Sequence, residues 1–173
     1  MTEPTRPRPA DPYAKKNPFV AERYQRTDVP GFSEARSRLP EPIFPDRPLW
    51  SELYWRAWEL AWKNVRRPTK DNALPLNYLD ASLDGRLRLW DSAACAHYGL
   101  YGRRAFDFMG GLSNIYARQH DDGFICREIN LADGKDLYHP FDPNGAGPNV
   151  EVWAEWRHYR LTGDLARLGQ VYW

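Results

Sequence analysis

The stretch PLWSELYWRAWELAWKNV, residues 48–65, most constrains what this chain can fold into. Its large apolar residues stand at 50, 53, 54, 57, 58, 61 and 62, the spacing of one buried helical face. The run is too long for a strand. Pro48 suits the first helical turn, where its missing N–H is not needed, and Pro68 marks the stop. Four tryptophans (Trp50, Trp55, Trp58 and Trp62) ride on this helix. They have the look of a ligand box, but packing into a core is the commoner fate of an aromatic stripe at this spacing.

Around that helix the chain divides by its prolines. Residues 1–18 hold five of the fifteen prolines and little that can enter a core, so they read as a disordered arm. Residues 19–47 continue with Pro30, Pro40, Pro42 and Pro45, a spacing that reads as an extended strap with one short helix in GFSEARSRL (31–39). Residues 66–90 are not helical, and Asp84-Gly85 is placed to turn a small hairpin. Helical pattern returns over 91–102 and 103–119, with Gly102 between them and Gly110-Gly111 a softer point in the second. A long polar loop, 120–147, follows; loops above about 15 residues in compact domains are usually functional or disordered. Pro148 opens a further helix over 148–163 that Gly163 closes, and Asp164 caps a last helical stretch, LARLGQVYW. The expected class is all-α, with residues 48–173 as the globular part. Val171, Tyr172 and Trp173 are apolar residues without a capping signal, which reads as a larger helical array cut short. No internal repeat supports a regular solenoid.

Composition removes several function classes. Net charge is +1 and the pI about 7.8, so no basic field points to nucleic acid. No apolar run approaches the roughly 18 residues of a membrane span, and residues 1–19 lack the apolar core of a secretory signal. Cys95 and Cys126 are two lone thiols, best explained by a reduced, cytoplasmic setting, although two cysteines also permit one bridge. His97, His120, His139 and His158 lack ligand spacing, and no phosphate loop or nucleophile elbow occurs, so neither metal nor cofactor is expected. Aromatic residues reach 14%, with eight Trp and ten Tyr. That richness suits a site that stacks on sugar rings, and suits an aromatic core equally well.

Three stretches carry candidate chemistry. In LRLWDSA (87–93), Asp91 or Ser92 can cap a helix with Trp90 as its hydrophobic staple. Alternatively Trp90 walls a sugar face while Asp91, kept ionised by the helix N-terminus, accepts from two adjacent hydroxyls. In QHDDGFICREIN (119–130), Gly123 permits a tight turn, Phe124 and Ile125 anchor it, and Gln119, Asp122, Arg127 and Glu128 supply donors and acceptors for a polyol. A plain Arg–Glu surface pair is the other reading, worth about 0–1 kcal/mol. In GPNVEVWAEWRHYR (147–160), Asn149 opens the helix, Trp153 and Trp156 lie three apart, and Glu151 and Glu155 share one face. A solvated acidic face is the default for that glutamate pair.

Taken in order, these stretches resemble the six-hairpin (α/α) glycosidases of the trehalase and glycoside hydrolase family 63 clan, nearest to the mannosylglycerate-hydrolase-like branch. LWDSA (89–93) is similar to the Trp-Asp-Ser step of the trehalase signature, which in that family contacts the sugar in the −1 subsite. The Gly-Phe-Ile loop at 123–125 with Arg127, and then GPN at 147–149 followed by Trp153, are similar to the family's next two steps. Ala93 and Ala94 after the serine, and Asn149 in place of a second proline, set the chain apart from trehalase itself. The resemblance covers roughly residues 40–173. It implies a partial (α/α)6 toroid and hydrolysis of an α-linked sugar or glycosyl-glycerate type substrate with inversion. Inversion needs two carboxyl groups about 6.5–9.5 Å apart; in the family both come from later hairpins than these. The residues implied to bind a carbohydrate are Trp90, Asp91, Gln119, Asp122, Arg127, Glu128, Asn149, Trp153 and Glu155, with no catalytic residue among them. The rival from another class is a non-catalytic helical scaffold or sugar-binding module. A terpenoid-type toroid would need Asp-rich metal motifs, and Asp121-Asp122 is only a two-residue step.

Overall fold

The computed structural model describes residues 17–24, 27–140 and 142–171. Nearly all of the arm expected over 1–18, together with Tyr172 and Trp173, lies outside the described residues. The architecture is mainly helical, with helices α1 (Phe32–Ala35), α2 (Pro48–Lys63), α3 (Leu89–Gly99), α4 (Gly110–Tyr116), α5 (Val150–Thr162) and α6 (Leu165–Val171). Among the described residues four short strands interrupt them: β1 (Val65–Arg66), β2 (Tyr78–Leu79), β3 (Arg86–Arg88) and β4 (Glu128–Asn130). Among the described residues no helix is long and apolar enough to cross a membrane.

The strands add two small sheets to the expected helical architecture. They form two antiparallel pairs, β1 with β2 and β3 with β4. The hairpin expected at Asp84-Gly85 does not form; β3 pairs instead with β4 from the loop that looked merely long and polar. The reason lies in alternation. Leu87 sits between Arg86 and Arg88, so β3 has one apolar and one charged face. Ile129 stands opposite Leu87, and both side chains are buried. Residues 78–79 pair instead with β1, and both are buried.

Helix α3 is the centre of the fold and packs against both α4 and α5. Leu89, Ala93, Ala96 and Leu100 enter one apolar cluster with Leu112, Ile115 and Ile129. Cys95, on another face of the helix, enters a second cluster with Trp58, Trp62, Phe106 and Phe108. Both cysteines are free and buried, and burial pushes the Cys95 thiol up to about 11. Small residues let the neighbours approach closely. A Cβ at Gly99 would collide with the Phe108 ring, and Gly111 packs directly on Ser92. Thus Ser92 of the Trp-Asp-Ser step is a buried contact residue rather than a cap.

The remaining differences from the sequence reading have local causes. Helix α4 covers 110–116 only, and residues ahead of it form turns in which Asp107 Oδ1 accepts from the Met109 N–H at 2.9 Å. Gly110 begins the helix instead of softening it, because its Cα abuts the Asn77 carbonyl with no room for a side chain. On α2 the expected buried face is only partly buried. Trp58 and Trp62 enter the core, whereas Trp50 and Leu53 are exposed and Trp55 lies under the Arg36 guanidinium, 4.3 Å away. The same helix holds the proline-rich strap through its aromatic donors. Trp62 Nε1 donates to the Pro30 carbonyl at 2.8 Å, and the Tyr54 hydroxyl to that of Pro40 at 2.6 Å. Helix α5 ends at Gly163 in the left-handed conformation (φ 71°), and Asp164 Oδ1 accepts from the Arg167 N–H at 2.9 Å to start α6.

A Gly110→Ala substitution is therefore expected to destabilise the protein by about 1–3 kcal/mol through overpacking against backbone. Urea denaturation measures it; an unchanged midpoint would contradict the packing described for α4.

Candidate functional site

The β3–β4 pair brings together stretches far apart in the chain. Its register sets Arg88 opposite Glu128 and Arg86 opposite Asn130, so both arginines of β3 lie on the charged face. Glu128 is buried there, and its Oε2 accepts from Arg86 Nη1 at 3.1 Å with Arg88 Nε at 3.6 Å. Its other oxygen, Oε1, lies 3.4 Å from Arg127 Nη2. Three guanidinium groups thus compensate one buried carboxylate, which unpaired would be costly.

Backbone contacts extend the assembly. The Leu89 N–H donates to the Arg127 carbonyl at 2.9 Å, joining the head of α3 to the strand. The Arg127 N–H in turn donates to the Gly145 carbonyl at 2.9 Å, drawing in the approach to α5. Gly147 packs against the Arg127 and Leu89 side chains, where a larger residue would crowd Arg127 Cβ. Arg127 donates to the Tyr138 hydroxyl at 3.0 Å and stacks on its ring at 4.8 Å, a cation–π contact. Its Nε is buried and, among the described residues, makes no hydrogen bond.

A cavity of about 220 Å³ opens at this junction, lined by Arg88, Leu89, Trp90, Arg127, Glu128, Gly147 and Pro148. Each of the three stretches singled out in the sequence contributes to its wall. Trp90 is 61% exposed, so its ring is free to receive a ligand rather than staple a helix. Asp91 does not line the cavity. It lies in the first turn of α3, accepts from Ser82 Oγ at 3.1 Å and faces Arg88 at 3.8 Å. The N-cap position belongs to Arg88, whose side chain makes no capping bond, so neither Asp91 nor Ser92 is the cap.

The other candidate residues are placed elsewhere. Asp122 Oδ1 accepts from the Phe124 N–H at 3.0 Å and shapes the turn at Gly123 (φ 86°). Gln119 bridges Asn17 Nδ2 (2.7 Å) and the Gly123 carbonyl (3.1 Å). Asn149 sits ahead of α5 without a capping bond. Trp153, 59% exposed, lays its ring 3.6 Å from that of His97 on α3. Glu155 is only 4% exposed and is not part of a solvated face. It accepts two hydrogen bonds from Arg167 (2.7 and 2.8 Å) and one from the Tyr116 hydroxyl (3.2 Å), so it clamps α6 and α4 to α5. Its neighbour Glu151 keeps Oε2 buried, without a hydrogen bond among the described residues, and burial, reinforced by the Glu155 charge, raises its carboxyl above the ordinary value.

Sequence reasoning missed Arg86, Arg88, Ser82 and Tyr138. The two arginines flank Leu87 at alternate positions, a signal that reads only once residues 86–88 are recognised as a strand. Nothing in the local sequence marks Ser82 or Tyr138. Among the described residues no group of His, Cys, Asp and Glu could hold a metal ion. Compared with family models, with curated proteins and with solved structures, the chain finds no match.

The His97–Trp153 contact generates a pH prediction. Burial lowers the His97 pKa below its ordinary 6.5, and the Arg157 charge adds to this. The folded protein therefore disfavours the protonated ring. The stability this contributes is fully present above pH 6.5 and is lost as pH falls through the lower folded-state value. His158 is shifted the same way, so the comparison needs a variant. Between pH 7.5 and 5 the wild type is expected to lose more thermal stability than His97→Gln; equal losses would contradict the assignment.

Proposed function

We propose that this chain provides part of the −1 subsite of an inverting glycoside hydrolase, acting on an α-linked sugar or glycosyl-glycerate type substrate, within a partial (α/α)6 toroid. The observation that carries the reading is the convergence of Trp90, Arg127, Glu128, Gly147 and Pro148 on one cavity. These residues come from the three stretches whose order resembles the six-hairpin glycosidases. The chemistry suits a sugar. An exposed indole offers a face for ring C–H groups, and Arg88 and Arg127 offer fixed donors to hydroxyl oxygens. The cavity is smaller than the roughly 300–1,000 Å³ of sites for drug-sized ligands, which fits one sugar ring.

Glu128 is not placed as a proton donor in this arrangement. With Arg86, Arg88 and Arg127 around it, its role is to orient those arginines. The acid and base of an inverting reaction would have to be supplied by other segments. The same observation favours a second reading, a sugar-binding module without catalysis, because the one carboxylate in the cavity wall is already compensated.

Calorimetric titration with methyl α-D-glucopyranoside and methyl α-D-mannopyranoside tests the site. Trp90→Ala and Arg127→Ala are each expected to weaken binding by about tenfold, the loss of one stacking or hydrogen-bonding group. Binding at wild-type strength in both variants would remove the assignment. Sugar release by the wild type distinguishes the hydrolase from the binding module, and release with retained configuration at the anomeric carbon would contradict inversion.

A further inference from the structure

A second and larger cavity, of about 650 Å³, lies between the middle of α2 and the C-terminal end of α3. Trp58 and Tyr54 of α2, Tyr98 of α3 and Tyr101 of the following turn contribute aromatic groups to its wall, and Asn64 and Asp80 supply polar ones. Tyr98 and Trp90 are eight residues apart on one helix, so about 12 Å of helical rise separates this wall from the first cavity. The rings are fixed by one another. Trp58 meets Tyr54 and Tyr98 edge-on, with ring centres 6.3 and 6.0 Å apart.

The polar groups are oriented but not saturated. Asp80 is buried, and its Oδ1 accepts from the Leu83 N–H at 3.0 Å, which anchors the turn. Among the described residues the partner of its Oδ2 is the Arg66 Nε at 3.8 Å, beyond hydrogen-bond range. Asn64 uses its backbone carbonyl to accept from the Asp80 N–H at 3.0 Å, and among the described residues its side-chain amide makes no hydrogen bond. A carboxylate oxygen and an amide are thus available beside several aromatic rings. An aromatic cage with a carboxylate can also hold an organic cation, but here the Arg66 guanidinium, 3.8 Å from Asp80 Oδ2, offsets part of the charge that would attract one. The remaining wall is aromatic and aliphatic, with Pro40, Leu60 and Leu79 beside the rings, and one corner offers an acceptor and an amide, which suits a neutral ring with an apolar face and hydroxyl groups.

We infer that the cavity between α2 and α3 is a separate saccharide-binding site for a neutral pyranose, with Tyr54, Trp58, Tyr98 and Tyr101 as the aromatic wall and Asp80 and Asn64 as hydrogen-bonding partners. The inference does not rest on the hydrolase reading. Its volume lies within the roughly 300–1,000 Å³ of small-molecule sites and admits a disaccharide as well as a single ring.

The test uses the Trp90→Ala chain, in which the wall of the first cavity is disabled, so that the two readings fail separately. Saturation-transfer NMR with methyl α-D-glucopyranoside, maltose, cellobiose and tetramethylammonium chloride identifies the ligand class, and calorimetry gives its Kd. At least one saccharide is expected to bind, with Kd about tenfold weaker after Asn64→Ala or Tyr101→Ala. Tyr101 is more than half exposed, so its variant remains informative if Asn64→Ala fails to fold. The inference is overturned if no saccharide binds, if both variants bind as tightly as the parent, or if tetramethylammonium binds and the saccharides do not.

Discussion

The buried Glu128 carboxylate, held between arginines of the neighbouring strand, is the interaction on which the site's architecture depends. It sits in β4, in a segment otherwise made of turns, and its ion pairs with Arg86 and Arg88 tie that segment to the strand entering α3. On the opposite face of the same ladder, Leu87 and Ile129 are buried together in the core. One face therefore supplies hydrophobic stabilisation and the other charge compensation. With a single partner removed, a buried charge would be left unpaired, which is costly. The ladder also positions Arg127, whose carbonyl receives the Leu89 N–H and whose side chain borders Gly147.

The helices around this ladder are joined by contacts between small residues and by buried polar clamps. Gly99, Gly110 and Gly111 allow close approach to Phe108, Asn77 and Ser92. Glu155 with Arg167 and Tyr116 does the same work electrostatically between α4, α5 and α6. Much apolar surface nevertheless stays exposed, including Leu49, Trp50 and Leu53 on α2 and Val152, Trp153 and Trp156 on α5. The second cavity draws its walls from the better packed half of α2, where Trp58 is buried.

How far the sequence could be read depended on the range of the interactions concerned. Helices α2 and α5 were legible because periodicity, Pro48 and Gly163 are local signals. Helix α3 was legible in outline, although its first turn begins at Leu89, ahead of the expected cap, because the Leu89 N–H is satisfied by Arg127 rather than by a capping side chain. The β3–β4 pairing was not legible. Its determinants, Leu87 and Ile129, are each ordinary in their own surroundings and acquire meaning only opposite one another. The placement of Glu155 was missed for the same reason: its partner Arg167 lies on another helix, so spacing along α5 alone suggested a solvated face. Trp90, Arg127 and Glu128 were singled out from sequence and do line one cavity, whereas Asp122, Gln119 and Trp153 serve turns and contacts elsewhere.

The most direct measurement of the central claim is a two-dimensional NMR titration of the labelled protein with a methyl α-D-pyranoside. The account predicts saturable shifts at the Trp90 indole N–H and at the amides of Arg127, Glu128 and Gly147, the groups assembled by the β3–β4 ladder. A titration that leaves these four signals unmoved would contradict it.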